Sequence, residues 1–321
     1  MTGFRSLLAI AGLLLVADSA VAQAYPVKPV RMIVGFAPGG GTDVTARVIV
    51  QPLSDGLGQR VVVDNRPGAN GVIGADVAAK SPPDGYTILM VNNGHTVNPG
   101  MYGKLPYDSI RDFAPVSLVA MIANLLVIHP SLPVKTFPDF VRLARQKPGS
   151  INYGSGGHGA SSHLAVELLK RAAKIELVHV PYKSGGLSAA ALLGGEVAVS
   201  FNTIPSALSY VKAGRLRAIG ISSLKRSLAV PDVPPIAEMG YPGFEASGLA
   251  GLLVPAGTPP EIIERLHAET VKLLKRPEVV ERFVTLGLDP VGSRPDEFIQ
   301  FIKTDTEKWT RLVRDLNITA Q

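Results

Sequence analysis

The 321-residue chain contains no cysteine, which excludes disulfide bonds, thiol nucleophiles and thiolate metal sites. It also lacks the G-x-S-x-G, G-x-x-x-x-G-K-[ST] and H-E-x-x-H patterns that mark serine hydrolases, phosphate-loop proteins and zinc peptidases. Because apolar residues make up 46% of the chain, we expect one or two sizeable cores to hold the fold. The sequence nominates no set of catalytic residues.

Long hydrophobic runs are scarce, and after residue 24 no stretch approaches the 18 apolar residues that a membrane helix needs. Residues 1–24 have the pattern of a secretory signal, with Arg5 before an apolar run at 7–16 and an A-x-A site at 22–24. A membrane anchor is the alternative, but ten apolar residues fall short of the roughly 20 that span a bilayer. We expect cleavage near Tyr25 and a mature protein outside the cytoplasm.

The net charge of +6 comes from basic residues that are dispersed among acidic ones, and loss of residues 1–24 would leave this charge unchanged. A nucleic-acid surface would need clustered Lys and Arg beside aromatic side chains, which this chain does not show. A mildly basic surface suits small anionic ligands. We therefore expect no nucleic-acid partner.

Short β-rich runs alternate with helical stretches from residue 25 onward, which predicts an α/β protein with sheets covered by helices. The predicted strands are residues 31–36, 60–63, 86–91, 114–119, 124–128, 151–153, 176–180, 196–201, 216–221 and 249–254. Ten strands would overfill one open sheet, so we expect two lobes. Pro52 lies within a helix predicted over residues 42–57 and is expected to kink or break it.

Residues 36–43, FAPGGGTD, run from the first predicted strand into this helix. Their glycines let backbone N–H groups converge at a helix N-terminus, which is typical of an anion site. Asp43 has two interpretations, since it can satisfy amides of the first helical turn or contact a ligand.

Residues 154–163, GSGGHGASSH, form a second glycine loop before a helix and offer hydroxyls and amides to a carboxylate. The loop also matches G-x-G-x-x-G, with Glu176 as a ribose ligand, which is the dinucleotide-enzyme interpretation. We disfavour it because the preceding strand is short and Glu176 begins a strand. His158 and His163 are either general bases, metal ligands or hydrogen-bonding loop residues.

The turns VNNGHT at residues 91–96 and FNT at 201–203 lie at the same predicted ends of strands as the two glycine loops. Ligands of open α/β sheets bind beyond the carboxyl ends of the strands. We expect these four segments to face one another across a cleft between the lobes.

A colinear series of short motifs resembles the Bug/TctC family, the periplasmic receptors of tripartite tricarboxylate transporters. The motifs are IVGFAPGG at 33–40 with Asp43, VDNRPGANG at 63–71, SPPDGYT at 81–87, NYGS at 152–155, SSHLA at 161–165, VPYK at 180–183, GG at 194–195, FN at 201–202, PSAL at 205–208 and PDVPPIAE at 231–238. The resemblance covers essentially the whole chain after residue 24.

This resemblance implies a type II periplasmic-binding-protein fold, with residues 25–124 plus 225–321 in lobe 1 and 125–224 in lobe 2. The chain would cross between lobes near 120–126 and 222–230. It implies a monomeric periplasmic protein that performs no catalysis, needs no cofactor or metal, and hands a small carboxylate to integral-membrane permease subunits. A sensor that reports to a signalling kinase and an exported enzyme are the alternatives.

Carried onto this chain, the resemblance places the ligand loops at residues 36–43 and 155–163 and completes the cleft with the two turns. The expected ligand-binding residues are Phe36, Ala37, Gly39, Gly40, Thr42, Asp43, Asn92, Gly94, His95, Ser155, Gly156, His158, Gly159, Ser161, His163, Tyr182 and Asn202. Two positions depart from the family pattern, since Ala160 stands where threonine is common and Asn202 where aspartate is common. Loss of that negative charge favours a ligand with a second or third carboxylate.

Overall fold

The computed structural model describes residues 25–38, 41–157, 159–182 and 185–318. The expected signal peptide at residues 1–24 lies outside the described residues. Within them the chain forms a mixed α/β fold with two sheets, as the sequence predicts.

Strands and helices alternate along most of the described chain. The strands are β1 Val30–Val34, β2 Val61–Asn65, β3 Thr87–Val91, β4 Phe113–Ile122, β5 Asn124–Ile128, β6 Asn152–Ser155, β7 Val178–Pro181, β8 Val199–Thr203, β9 Arg217–Ile221, β10 Gly248–Pro255 and β11 Leu288–Pro290. The helices are α1 Gly41–Leu57, α2 Val72–Ala79, α3 Gly94–Met101, α4 Phe137–Gln146, α5 Ser161–Ala173, α6 Gly185–Leu193, α7 Ile204–Lys212, α8 Pro260–Leu273, α9 Pro277–Thr285 and α10 Pro295–Asp315.

The first sheet has the strand order β11-β4-β10-β3-β1-β2 and the second has the order β7-β6-β8-β5-β9. In the first sheet β1 runs parallel to β2 and β3, and in the second β6 runs parallel to β7 and β8. The carboxyl ends of parallel strands meet at one edge of a sheet, so each sheet gathers the loops that follow these strands.

Both sheets carry apolar side chains on both faces, which is the pattern of strands covered by helices on each side. In β3, Met90 packs into a core shared with α1, whereas its neighbour Leu89 packs on the opposite face with α2. In β5, Leu126 and Leu125 likewise enter separate cores, and neither exposes any surface. Successive residues of one strand therefore stabilise opposite layers of the protein.

The chain passes from the first sheet to the second between Ile122 and Asn124 and returns between Ile221 and Gly248. The two passages are joined by hydrogen bonds, because Asn124 N donates to Ser222 Oγ at 2.9 Å and Ser222 N donates to Asn124 O at 2.9 Å. The exact bounds of the two lobes stay a prediction.

Pro52 lies inside α1 but does not break it, contrary to the expected interruption. The helix continues because residues on both sides of the proline, among them Ile49 and Leu53, are fully buried in the core. Apolar packing thus offsets the missing backbone donor.

Candidate functional site

A cavity of about 620 Å³ lies between the two sheets. Its walls come from the loops that follow β1, β3, β6 and β8, and its lining includes Leu249 of β10 and Leu288 of β11. The lining residues are Phe36, Gly41, Thr42, Val44, Thr45, Asn92, Asn93, Ile122, Asn124, Ser161, Gly185, Thr203, Ser206, Gly248, Leu249, Leu286 and Leu288.

Four helices begin at this cavity. Gly41, Ser161 and Gly185 are the first residues of α1, α5 and α6, and Thr203 directly precedes α7. The first N–H groups of a helix have no intrahelical acceptor, and the helix dipole places partial positive charge there. Among the described lining residues none carries a charged side chain, so the cavity offers amide and hydroxyl donors without a counter-ion.

The buried carboxylate of Asp43 helps to fix the first glycine loop, residues 36–43. Asp43 is 1% exposed, and its Oδ2 accepts from Arg47 Nε at 2.8 Å while its Oδ1 accepts from Asn65 Nδ2 at 2.9 Å. Asn65 Nδ2 also donates to the carbonyl of Phe36 at 3.0 Å. Asp43 thus ties β2 to the loop from a position outside the cavity lining, while Thr42 and Phe36 line the cavity.

The turn after β3 places Asn92 and Asn93 on the cavity wall. Asn92 Nδ2 donates to Thr42 Oγ1 at 3.1 Å, and Asn92 Oδ1 accepts from the N–H of Gly94 at 2.9 Å. This pair of bonds links the start of α3 to the start of α1.

His95 lies away from the cavity in an aromatic environment. Its ring contacts Tyr107 and Phe113, and its Nε2 lies 2.8 Å from the carbonyl of Ser109. Burial lowers the pKa of His95 to about 4, so the ring is neutral at physiological pH. A neutral, buried imidazole contributes packing here rather than a positive charge.

The second glycine loop closes on its own side chains. Ser155 is fully buried at the end of β6, and its Oγ accepts from Gly157 N at 3.1 Å. Gly156 N donates to Ser162 Oγ at 3.0 Å, and Gly159 N donates to His163 Nδ1 at 3.0 Å. These bonds leave Ser161 at the cavity wall, at the first position of α5.

Three further expected residues, Ala37, Tyr182 and Asn202, are not part of the cavity lining. Ala37 is exposed, Tyr182 N donates to Ser155 O at 3.0 Å, and Asn202 is 5% exposed within β8. The Nδ2 atom of Asn202 has no hydrogen-bond partner among the described residues. Gly39, Gly40 and His158 lie outside the described residues.

Sequence reasoning therefore names four of the lining residues, Phe36, Thr42, Asn92 and Ser161, as ligand contacts. It did not select Asn124, Gly185, Thr203 or Ser206. Thr203 stands in a turn that the sequence did single out, so its hydroxyl was a usable signal. Asn124 was hidden because it begins a strand, and only the crossing between the sheets brings it to the cavity.

The described residues contain no group of three or more His, Asp or Glu side chains arranged to hold a metal ion. Within the same part of the chain, the helices fall short of the length and apolar character that a membrane crossing requires.

Residues 45–318 match the model of the tripartite tricarboxylate transporter family receptor, TctC. Among similar proteins is BugT of Bordetella pertussis, 38% identical over 315 residues that cover 96% of this chain and 97% of BugT.

Solved structures with the same architecture include the R. palustris protein Rpa4515 with adipate, 32% identical, with a TM-score of 0.81 and coverage of 92% of this chain and 99% of that one. MatC from Rhodopseudomonas palustris with bound malate is 31% identical, with a TM-score of 0.76 and coverage of 90% and 100%. The periplasmic binding protein BugD is 30% identical, with a TM-score of 0.78 and coverage of 92% and 100%.

Proposed function

Because the chain belongs to the tripartite tricarboxylate transporter receptor family, we propose that it captures a small carboxylate in the cavity between its sheets and delivers it to a membrane transporter. Proteins of this family are periplasmic solute-binding proteins rather than enzymes. What we propose for this chain is the class of ligand that it binds, the residues that contact this ligand, and a membrane transporter as the partner that receives it.

The convergence of four helix N-termini on one neutral cavity is the observation that carries this proposal. Backbone amides at helix starts donate well to carboxylate oxygens, and hydrogen bonds to a charged group are stronger than neutral ones. A carboxylate that bridges α1 of one sheet and α5 of the other binds best when the two sheets are close. Ligand binding then shifts the population toward the closed arrangement, which a permease can recognise.

We further propose that the preferred ligand is a dicarboxylate or tricarboxylate. Adipate and malate, which are bound by two relatives, each carry two carboxylates. In this chain Asn202, which directly precedes Thr203 of the cavity lining, brings no negative charge to the second sheet. A second ligand carboxylate therefore meets no like charge from this position.

Isothermal titration of the ligand-stripped protein tests the ligand class. We expect heat from succinate, malate or adipate and weaker heat from benzoate, which carries one carboxylate. Absence of binding to every carboxylate in the panel at neutral pH would refute the proposed function, and tighter binding of benzoate would refute the dicarboxylate preference alone.

Substitution of lining hydroxyls tests the site. Ser161→Ala and Thr203→Val each remove a hydroxyl at a helix start, and we expect about tenfold to hundredfold weaker binding from each, since a hydrogen bond to a charged group contributes about 1.5–3 kcal/mol. Ser150→Ala removes an exposed hydroxyl that donates to Lys147 O at 2.7 Å and is the matched control. Equal affinity of Ser161→Ala and Ser150→Ala would place the ligand elsewhere.

The transporter partner is tested in cells. Deletion of the gene should abolish uptake of the bound carboxylate, and a plasmid copy with Ser161→Ala should restore it only at raised ligand concentration. Normal uptake in the deletion strain with loss of a transcriptional response would instead favour a sensor.

A further inference from the structure

The aromatic rings of Tyr153, His163 and His179 form a stack next to the second glycine loop, residues 154–163. The rings of His163 and His179 lie 4.1 Å apart between centroids with an angle of 7° between their planes. The ring of Tyr153 lies 4.8 Å from that of His179 at 12°. Parallel pairing of β6 with β7 places Tyr153 directly beside His179, so the stack is built on sheet register.

The hydrogen bond between Gly159 and His163 fixes the protonation state of one ring. Gly159 N–H donates to His163 Nδ1 at 3.0 Å, and an imidazole nitrogen can accept a hydrogen bond only while it carries no proton. The neutral ring therefore holds its proton on Nε2. A doubly protonated His163 would point a second N–H at the amide of Gly159, so the bond and the charged ring exclude each other.

His179 behaves differently because its partner can reverse roles. Its Nε2 lies 2.6 Å from Ser155 Oγ, and this hydroxyl also lies 3.2 Å from the carbonyl of Gly157. When Nε2 carries no proton the hydroxyl donates to it, and when Nε2 is protonated, in the neutral Nε2–H tautomer or in the charged ring, the hydroxyl accepts from Nε2 and donates to Gly157 O. The loop geometry thus depends on the charge of His163 and tolerates either charge on His179.

The charged groups near His163 favour protonation once the loop bond is broken. Glu167 Oε1 lies 4.0 Å from His163 Nε2, and the same carboxylate accepts from Tyr153 Oη at 2.6 Å and from Lys170 Nζ at 2.8 Å. His163 is 4% exposed, so this carboxylate acts with little screening by water.

Acidic groups of the neighbouring α10 have their own cationic partners. Asp305 Oδ1 lies 2.8 Å from Lys308 Nζ, and Asp315 pairs with Arg171. His95, at the start of α3, does not titrate between about pH 5 and pH 8, because burial lowers its pKa to about 4.

We propose that His163 is a positioning residue that holds the second glycine loop in its ligand-binding form only while its ring is neutral, so that acidification weakens carboxylate binding. This inference rests on the proposed function and adds its regulation. The bound form disfavours the protonated ring, which means that its histidine pKa is lower in the bound than in the free protein. Affinity is therefore full above the free-state value and is lost as pH falls below it.

The expected size follows from ordinary histidine chemistry. We expect the dissociation constant to rise severalfold between pH 8 and pH 5.5, up to the roughly tenfold that a histidine with the reference pKa of about 6.5 gives when only its neutral form permits binding. Titration calorimetry with malate and adipate at both pH values measures this ratio.

His163→Asn is the decisive variant because its carboxamide oxygen can accept from Gly159 N–H without titrating. We compare the ratio of dissociation constants at the two pH values within each variant, so that a change in absolute affinity does not matter. In His163→Asn this ratio should fall to about one-third or less of the wild-type ratio. The pH dependence that remains comes from protonation of the ligand carboxylates. His129→Gln changes a ring that pairs with Ser131 at the end of β5, and it should keep the wild-type ratio.

A ligand-free measurement separates this inference from the proposed function. In nitrogen-15 NMR spectra, the Gly159 amide signal should shift with the same midpoint as the His163 ring. A Gly159 signal that stays constant through that titration, or an undiminished ratio in His163→Asn, would overturn the inference. Failure of both acids to bind at about pH 8 would refute the proposed function, while the NMR titration would still decide the role of His163.

Discussion

At the scale of single residues, the cavity depends on hydrogen bonds among the residues that form and support its wall. Asn65 donates to the carbonyl of Phe36 and to the carboxylate of Asp43, and Asn92 donates to the hydroxyl of Thr42. These contacts fix the loop amides before any ligand arrives, and prior fixing of donors lowers the entropy cost of binding. Their effect on affinity is therefore expected to match that of direct contacts.

Asp43→Ala should destabilise the protein by about 1–3 kcal/mol, because the loop and Asn65 lose a buried hydrogen-bond acceptor, whereas Arg47 is 54% exposed and stays hydrated. The loop that contains Phe36 should also become mobile, and malate binding should weaken. Urea unfolding and titration calorimetry measure the two effects. Glu238→Gln breaks an exposed pair with Arg226 and should cost no more than about 1 kcal/mol; a similar loss in both variants would contradict the structural role of Asp43.

The sequence supports two interpretations of Asp43, and the structure shows a carboxylate bound to Arg47 and Asn65 outside the cavity lining. His179 could not be found from the sequence, because its contact with Ser155 spans 24 residues and arises from the register of β6 with β7. Local motifs predict loops that follow strands, but they do not contain the lateral pairing of strands that brings such partners together.

At the scale of elements, the alternation of strands and helices was readable because buried strands such as β1, β3, β5 and β10 are runs rich in Val, Ile and Leu between turn residues. The short strand β11 was missed, since three residues, Leu288–Pro290, give no periodic signal. A helix over residues 42–57 was predicted, but its continuation through Pro52 without a break was not, because burial of the surrounding apolar residues is a tertiary effect.

Gly159→Ala tests whether the conformation of the second loop depends on glycine. Gly159 has a φ of 72°, and an added Cβ would overlap the side chain of Met101 in α3. A left-handed conformation costs an ordinary residue about 1–2 kcal/mol, so we expect lower thermal stability and at least about tenfold weaker malate binding.

Gly103→Ala is the control for that substitution, because a Cβ there meets nothing within 4 Å. Thermal denaturation and calorimetry on both variants should separate them. Wild-type affinity in Gly159→Ala would show that the loop can adopt its binding form without glycine.

At the scale of the whole molecule, one apolar cluster joins helices that cover different sheets. Trp309 and Leu312 of α10 pack in it with Leu164 and Leu169 of α5, and all four side chains are at most 4% exposed. The C-terminal helix therefore supports the ligand loop from the side opposite the cavity wall formed by Ser161.

Leu312→Ala should lower the free energy of unfolding by about 2–5 kcal/mol through loss of buried contacts and creation of a cavity. Emission of Trp309, the only tryptophan of the chain, reports on this cluster during urea unfolding, and far-UV circular dichroism reports on the whole fold. Leu316→Ala, one turn later and 37% exposed, should cost less than about 1 kcal/mol. Equal losses in the two variants would show that the cluster does not stabilise the fold.

The four helix starts are divided unequally between the sheets, since α1 packs on the first sheet while α5, α6 and α7 pack on the second. When the two halves separate, an anion keeps most of its donors on one side only. The carboxylate is then expected to travel with the half that contains β6 and β8, and it is handed over from there. Release of the ligand from this half then requires loss of its contacts with three helix starts, whereas separation from the other half requires loss of its contacts with one.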